Sequence, residues 1–129
     1  MNAAVQKSIE RSLSVLVLED EPLIALDLRF AFEDQGVEVH LAASCEDAHA
    51  IVGETVVDGA VLDVNLGRGE TCEAVANTLR ERAIPFILHT GDLDRHGEAI
   101  RKLDALVIPK PTPAMQVAQA ILNRMEQSS

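Results

Sequence analysis

Short apolar runs alternate with longer amphipathic segments along this chain, and most of the apolar runs end at polar or turn-forming residues. The run Leu13–Leu18 consists of Leu, Val and one Ser, which is typical of a strand buried on both faces of a sheet. In Val37–Leu41 apolar and polar residues alternate, and this pattern predicts a more exposed strand. Three more short runs complete a set of five predicted strands: Ala60–Asp63, Ile84–Leu88 and Ala105–Ile108.

An amphipathic segment follows each predicted strand and favours a helix. The first begins at Pro22, a residue suited to the first turn of a helix, and Gly36 is suited to ending it. Ser44 followed by Asp47 resembles a capping box at the start of the second. The predicted helices cover residues 22–35, 44–52, 70–82, 94–103 and 113–125. Strands that alternate with helices predict an α/β fold with a parallel sheet and helices on both faces.

Charge and cysteine content exclude several classes of protein. The formal net charge is −10, with 21 acidic against 11 basic residues, which opposes binding to nucleic acids or anionic membranes. Cys45 and Cys72 lack the spacing of a zinc site or a disulfide framework, so we expect a cytoplasmic location. The polar extension at residues 1–12 lacks the apolar core of a signal peptide, and no apolar run is long enough to cross a bilayer. We expect one domain over residues 13–126 and a frayed end at residues 127–129.

Polar residues with complementary chemistry stand where four of the predicted strands end. Glu19 and Asp20 follow the first strand, Asp63 ends the third, Thr90 follows the fourth and Lys110 follows the fifth. The carboxyl ends of parallel strands meet at one edge of the sheet, where open α/β sheets bind their ligands. Crowded carboxylates need a cation, and hard oxygen ligands favour Mg²⁺. Asp63 is therefore a candidate nucleophile that could form an aspartyl phosphate.

These residues carry a resemblance to the response-regulator receiver domains of two-component signalling. The resemblance extends from about Leu13 to Met125. It rests on the segments Leu18-Glu19-Asp20-Glu21-Pro22, Leu62-Asp63-Val64-Asn65, His89-Thr90-Gly91 and Pro109-Lys110-Pro111. It implies a flavodoxin-like, doubly wound (βα)5 fold with a five-stranded parallel sheet in the order 2-1-3-4-5.

The resemblance also implies a function and its cofactor. Asp63 would accept a phosphoryl group from a phosphohistidine on a sensor histidine kinase or a histidine phosphotransfer protein. Asp20 and Asp63 would bind Mg²⁺ through their side chains and Asn65 through its backbone carbonyl, with Glu19 acting on the metal through water. The protein would signal through altered protein–protein binding, as a phosphorelay intermediate, an adaptor or a phosphate sink, and not as an enzyme.

Other roles carried over from the family concern the phosphoryl group itself. Thr90 and Lys110 would contact the phosphoryl oxygens, Asn65 and Asp92 would tune hydrolysis, and the Lys110–Pro111 bond would be cis. Receivers commonly carry an aromatic residue three positions before the lysine, but Val107 stands there in this chain. Together with the expectation of a stand-alone receiver, this points to an alphaproteobacterial subgroup paired with HWE-type kinases. We therefore expect the segment Gly91–Glu98 to reorder on phosphorylation instead of an aromatic side chain.

Three alternatives belong to other classes. A small Mg²⁺-dependent aspartyl phosphatase of the haloacid-dehalogenase type needs an acid where Asn65 stands, and a flavin-binding protein usually stacks its cofactor on Trp or Tyr, which this chain lacks. A receiver fold that never receives phosphate and acts only as a binding module is disfavoured by the acid, threonine and lysine set.

The first predicted helix carries two apolar stripes, although packing on one sheet needs only one. Leu23, Leu26 and Phe30 form the second stripe. We predict that Leu26 and Phe30 help to dock a partner helix near Asp63, with burial against the last helix or a dimer contact as the alternative. The stripe expected to pack on the sheet consists of Ile24, Leu28, Ala31 and Phe32.

Overall fold

The computed structural model describes residues 12–91 and 97–128. The strands are β1 (Ser14–Leu18), β2 (Glu38–Ala42), β3 (Gly59–Leu62), β4 (Phe86–Thr90) and β5 (Val107–Pro109). The helices are α1 (Pro22–Glu33), α2 (Cys45–Glu54), α3 (Glu73–Glu81), α4 (Gly97–Leu103) and α5 (Ala114–Ser128). Ser44 caps α2 by accepting a hydrogen bond from the backbone N–H of Asp47, as its sequence predicted.

The five strands form one parallel sheet in the order β2-β1-β3-β4-β5, which confirms the predicted fold class and strand order. Leu18 pairs with Leu62, so β1 and β3 end level with each other at the centre of the sheet. Thr90 pairs with Pro109 at the ends of β4 and β5. The register therefore brings the residues that follow these strands to one edge.

Alternating residues of the strands divide the core between the two faces of the sheet. Leu16, Leu18 and Leu88 pack on one face with α2, α3 and α4, whereas Val15, Val17 and Ile87 pack on the other with α1 and α5. The predicted stripe of α1 packs on the second face: Leu28, Ala31 and Phe32 are buried, and Ile24 is half-buried against them.

Helix α5 crosses very close to the amino end of β3, and a glycine makes this approach possible. A Cβ atom added at Gly59 would lie 2.6 Å from Met125 Sδ and 3.3 Å from Ile121 Cγ1. Distances this short lie inside van der Waals contact, so any larger residue would force α5 or its side chains to move. A cavity of about 270 Å³ lies at the same amino edge of the sheet, beside the start of β4, where Arg80, Ile84, Phe86 and Arg124 are among its lining.

The predicted start of α3 at Glu70 is wrong, because residues 64–72 form a hairpin instead of a first helical turn. Asn65 and Thr71 form an antiparallel bridge, and the backbone N–H of Leu66 donates to the carbonyl of Glu70 at 3.0 Å. The tip at residues 67–69 has three consecutive positive φ angles of 80°, 52° and 77°, a conformation no helix can adopt. Smaller differences concern β4, which begins at Phe86 and not Ile84, and α5, which continues to Ser128.

Across residues 12–91 and 97–128, no helix is both long and apolar enough to cross a membrane.

Candidate metal and phosphoryl-acceptor site

The two central acids are held by hydrogen bonds that continue the sheet one residue beyond the strands. The backbone N–H of Glu19 donates to the carbonyl of Ala42 at 2.9 Å, and that of Asp63 donates to the carbonyl of Leu18 at 2.8 Å. The backbone of both acids is thereby fixed against neighbouring strands. Their side chains are almost fully buried, with exposures of 4% for Glu19 and 6% for Asp63, although both are acids.

Three carboxylates come together at this edge. One oxygen each of Glu19, Asp20 and Asp63 lies within 4.8 Å of the others, and Asp20 is exposed to solvent. Burial raises the pKa of Glu19 from 4.5 to about 7, the charge of Asp63 adds to the rise, and contact with Lys110 opposes it. A raised pKa means that the negative charge is poorly compensated in the folded protein. A set of hard oxygen donors with excess negative charge fits a divalent cation such as Mg²⁺.

Lys110 lies between the two buried acids. Its Nζ is 2.7 Å from Glu19 Oε1 and 3.2 Å from Asp63 Oδ2. Burial alone would lower the pKa of Lys110, but the hydrogen bond to Glu19 and the charges of both acids outweigh it, so the pKa is raised and the side chain is charged. The backbone N–H of Lys110 donates to the carbonyl of Thr90 at 2.9 Å, and the following Lys110–Pro111 bond is cis, as predicted.

Asn65 contacts Asp63 through its backbone. Its N–H donates to Asp63 Oδ1 at 3.3 Å, and its side-chain oxygen accepts a hydrogen bond from the N–H of Gly67 at 3.1 Å. The side-chain oxygen is thus engaged within the hairpin. This arrangement is compatible with the predicted use of the backbone carbonyl for a cation.

Thr90 lies at the end of β4 and is 1% exposed, at the same edge as Lys110. Its neighbour His89 is also buried, and burial together with the charge of Lys110 lowers the pKa of this imidazole to about 4. His89 is therefore neutral near pH 7. In the part of the chain that the structure describes, the acid cluster is the one group of side chains with metal-ligand geometry, and it includes no histidine or cysteine.

The remaining predicted residues have different outcomes. Leu26 and Phe30 are 40% and 58% exposed, so burial against α5 within this chain does not occur. Val107 is half-buried against the core face formed by α2, α3 and α4. Asp92 lies outside the described residues, as does most of the segment Gly91–Glu98 that we expected to reorder.

One residue of this region was missed by reasoning from the sequence. Glu70, expected to begin α3, instead accepts a hydrogen bond through Oε1 from the backbone N–H of Cys45 at 2.9 Å. The Cys45 thiol donates to the carbonyl of Thr71 at 3.1 Å. The sequence contains no local signal for this contact, because the partners are separated by 25 residues and belong to different β–α units.

The strand order, the acid cluster and the lysine between its two buried acids are together the features that define a receiver domain. The sequence matches the response regulator receiver domain over residues 15–122, so the chain belongs to that family.

Known proteins give the same result. The phyllosphere-induced regulator PhyR of Methylorubrum extorquens is 30% identical over 122 residues, which are 92% of this chain but only 46% of PhyR. Among solved structures, a response regulator receiver protein from Sinorhizobium medicae aligns with a TM-score of 0.81 at 20% identity, covering 93% of this chain and 99% of that one. A CheY-like receiver domain protein from Methanospirillum hungatei aligns with a TM-score of 0.80 at 20% identity, covering 92% of this chain and 97% of that one. At these identities the two structures establish the fold alone.

Proposed function

We propose that Asp63 accepts a phosphoryl group from a phosphohistidine of a sensor histidine kinase or a histidine phosphotransfer protein. The observation that carries this proposal is the position of Lys110, whose Nζ lies 3.2 Å from Asp63 Oδ2 and 2.7 Å from Glu19 Oε1. A lysine held beside a buried acid supplies a fixed positive charge where the phosphoryl oxygens of an aspartyl phosphate would lie. The chain thus has a nucleophile and a compensating cation at one place.

The transfer is a substitution at phosphorus. A carboxylate oxygen of Asp63 attacks the phosphorus atom, a P–O bond forms, and the P–N bond to the donor imidazole breaks with its electron pair going to that nitrogen. Phosphoryl transfer depends mainly on positioning and on compensation of charge at the phosphoryl oxygens. In this chain the hydrogen bond from the backbone N–H of Asp63 to the carbonyl of Leu18 fixes the nucleophile, and Lys110 would compensate the charge of the phosphoryl oxygens.

The residues suited to Mg²⁺ are Asp20, Asp63 and the backbone carbonyl of Asn65, with Glu19 acting through water. When bound, Mg²⁺ would neutralise the acids and polarise the phosphoryl oxygens. The exposure of Asp20 leaves a route from solvent, while the burial of Glu19 and Asp63 shields the nucleophile from bulk water. Lys110 and Thr90 would hold the phosphoryl oxygens, and Asn65 and Asp92 would adjust the approach of a hydrolytic water.

The exposed apolar stripe of α1, formed by Leu23, Leu26 and Phe30, is proposed as part of the docking surface for the phosphodonor. Their exposures are 79%, 40% and 58%, so the stripe is unusually apolar for a helix surface. Helix α1 begins four residues after β1 ends, which places its first turns beside the acid cluster. A phosphodonor helix lying on Leu26 and Phe30 would therefore stand next to Asp63.

Phosphorylation would alter binding to a further protein partner, so the chain would act as a relay intermediate, an adaptor or a phosphate sink. It would function as a switch and not as an enzyme that turns over a small substrate. The similarity to part of PhyR supports a role in regulation. Pairing with an HWE-type kinase remains a proposal that direct transfer assays can test.

The decisive experiment is phosphorylation of the purified chain by acetyl phosphate or by a phosphorylated histidine kinase, with and without Mg²⁺. We expect a mass increase of one phosphoryl group that is lost in Asp63→Asn and retained in Asp34→Asn, a matched change at an exposed acid on the end of α1. In Asp20→Asn, added Mg²⁺ should no longer increase the extent of phosphorylation. A chain that takes up no phosphoryl group from any donor would instead be a binding module of receiver fold.

The docking proposal has its own test. Leu26→Glu should slow transfer from the kinase while leaving phosphorylation by acetyl phosphate unchanged, because only the kinase needs the surface. Asp27→Ala, at the neighbouring exposed position, is the control. Equal transfer rates from the kinase in Leu26→Glu and the unaltered chain would show that the donor docks elsewhere.

A further inference from the structure

The hairpin that follows the acceptor strand is connected to the neighbouring β–α unit by two contacts at one residue. Glu70 Oε1 accepts from the backbone N–H of Cys45 at 2.9 Å, and the Cys45 thiol donates to the carbonyl of Thr71 at 3.1 Å. Cys45 is the first residue of α2, and its N–H is one of the donors that a helix leaves without a partner at its start. Glu70 therefore supplies to α2 a cap that comes from another part of the chain.

The same hairpin carries Asn65, and its two limbs are paired along their length. The N–H of Leu66 donates to the carbonyl of Glu70 at 3.0 Å, and the N–H of Cys72 donates to the carbonyl of Val64 at 3.2 Å. Asn65 stands opposite Thr71 in the bridge between the limbs. A displacement of Glu70 and Thr71 must therefore move Asn65 or break these bonds.

The tip of the hairpin has little intrinsic stability of its own. Gly67 and Gly69 have positive φ angles, and Arg68 adopts a φ of 52°, which is uncommon for a residue with a side chain. The tip residues 67–69 are exposed, whereas Val64, Leu66 and Cys72 on the two limbs are buried in the core. The contacts of Glu70 and Thr71 with Cys45 join the outer limb of the hairpin to α2, whose position is fixed by buried residues.

We propose that Glu70 is a positioning residue for the metal and phosphoryl site, which fixes the hairpin at residues 64–72 and with it the backbone of Asn65 through its hydrogen bond to Cys45. The proposal rests on the proposed function in one respect, the use of the Asn65 carbonyl by Mg²⁺. Glu70 itself touches neither the metal ligands nor Asp63 in the contacts that the structure describes.

The test compares Glu70→Ala with Glu70→Gln, which keeps an oxygen that can accept from Cys45. Mg²⁺ affinity would be measured by calorimetry, together with amide hydrogen exchange of Leu66 and Cys72 in the metal-free chain. We expect Glu70→Ala to weaken Mg²⁺ binding roughly three- to tenfold, since partners that orient metal ligands have effects of that order or larger. Exchange of both amides should accelerate, and Glu70→Gln should restore both measurements to within about twofold of the unaltered chain.

Glu46→Ala is the matched control, because it removes an exposed acid from the first turn of α2, the helix that Glu70 caps, without touching the hairpin. If it weakens Mg²⁺ binding as much as Glu70→Ala does, the effect is one of charge and the proposal is overturned. Unchanged affinity and exchange in Glu70→Ala would also overturn it. Should Glu70→Ala fail to fold, two variants of Cys45 replace it. Cys45→Ala removes the hydrogen bond to the carbonyl of Thr71, whereas Cys45→Ser keeps a donor for it.

Failure of the proposed function would look different. If the unaltered chain binds no Mg²⁺, the metal role of Asp20, Asp63 and Asn65 is wrong, whatever Glu70 does. The exchange measurements on metal-free protein then decide the positioning role alone, because the hairpin and its anchor exist without the cation.

Discussion

The two edges of the sheet are built in opposite ways. At the carboxyl edge, Glu19 and Asp63 are buried as acids and depend on Lys110 for compensation of their charge. At the amino edge, α5 lies directly on Gly59. The first edge holds buried negative charge at a cost in stability, whereas the second holds the fold together by close packing. The effects of substitutions on stability should therefore depend on pH and on cations at the carboxyl edge, and on side-chain volume alone at the amino edge.

The largest expected effect is at the carboxyl edge, in Lys110→Met. Removing the positive charge of Lys110 leaves the negative charges of two buried acids uncompensated. Losing one partner of a buried charge pair costs about 3 kcal/mol. We expect this loss in urea unfolding at pH 7, and a larger loss at pH 8 than at pH 6, because Glu19 can take up a proton at the lower pH. Lys102→Met, at an exposed position of α4, should leave stability almost unchanged. A similar small effect in both variants would mean that the buried acids need no compensation.

A second effect concerns the pH dependence of the metal-free chain. The pKa of Glu19 is raised from 4.5 to about 7, so the folded state binds this proton more tightly than the unfolded state. The stability associated with Glu19 is full below pH 4.5 and is lost as the pH rises through about 7.

Glu19→Gln should remove this component of the fall in stability, and saturating Mg²⁺ should reduce it. Thermal unfolding followed across this pH range provides the measurement. A fall of the same size in Glu19→Gln would assign it to another group.

At the amino edge we expect a smaller effect that does not depend on pH. Gly59→Ala should destabilise the chain by about 1–2 kcal/mol, because the added methyl group overlaps Met125 and the core must shift. Gly53→Ala is the matched control, since nothing lies within 4 Å of its added Cβ and alanine favours the helix. That variant should gain up to about 1 kcal/mol. If both variants are equally stable in urea, close packing does not define this edge.

The smallest predicted effect is a gain at the end of α3. Ala83 has a φ of 57° and closes the helix, with its N–H donating to the carbonyl of Arg80 and the N–H of Ile84 donating to that of Leu79. Glycine adopts this left-handed conformation without strain, so Ala83→Gly should stabilise the fold by about 0.5–1 kcal/mol. Ala74→Gly, at an exposed position within the same helix, should lose about 1 kcal/mol. Melting temperatures that shift in the same direction would contradict the role of the left-handed conformation.

The parallel sheet and the residues of the charged edge could be predicted from local pattern, whereas the strand order was predicted only from the resemblance to receiver domains. A buried strand followed by a carboxylate can be recognised in the sequence, and parallel strands bring their carboxyl ends together at one edge of the sheet. The hairpin at residues 64–72 could not be predicted, because three consecutive left-handed residues and the contact of Glu70 with Cys45 depend on a neighbouring unit. The pairing of Lys110 with Glu19 as well as Asp63 likewise depends on side-chain positions that spacing does not encode.

The exposed stripe of α1 shows a similar division. Periodicity identified two apolar stripes, but it could not determine which neighbour, if any, would cover the second. The structure leaves Leu23 and Phe30 more than half exposed and so removes one of the alternatives.

The two outer strands determine how the sheet can associate with other chains. β5 is only three residues long and ends at Pro109, which has no N–H to offer to an added strand. On the opposite side, β2 carries Glu38 and His40, whose side chains lie 3.6 Å apart. Short, proline-ended and charged borders discourage strand addition and the growth of continuous sheets. The helix surfaces, including the exposed stripe of α1, are therefore the surfaces that the sheet leaves for the partner proposed above.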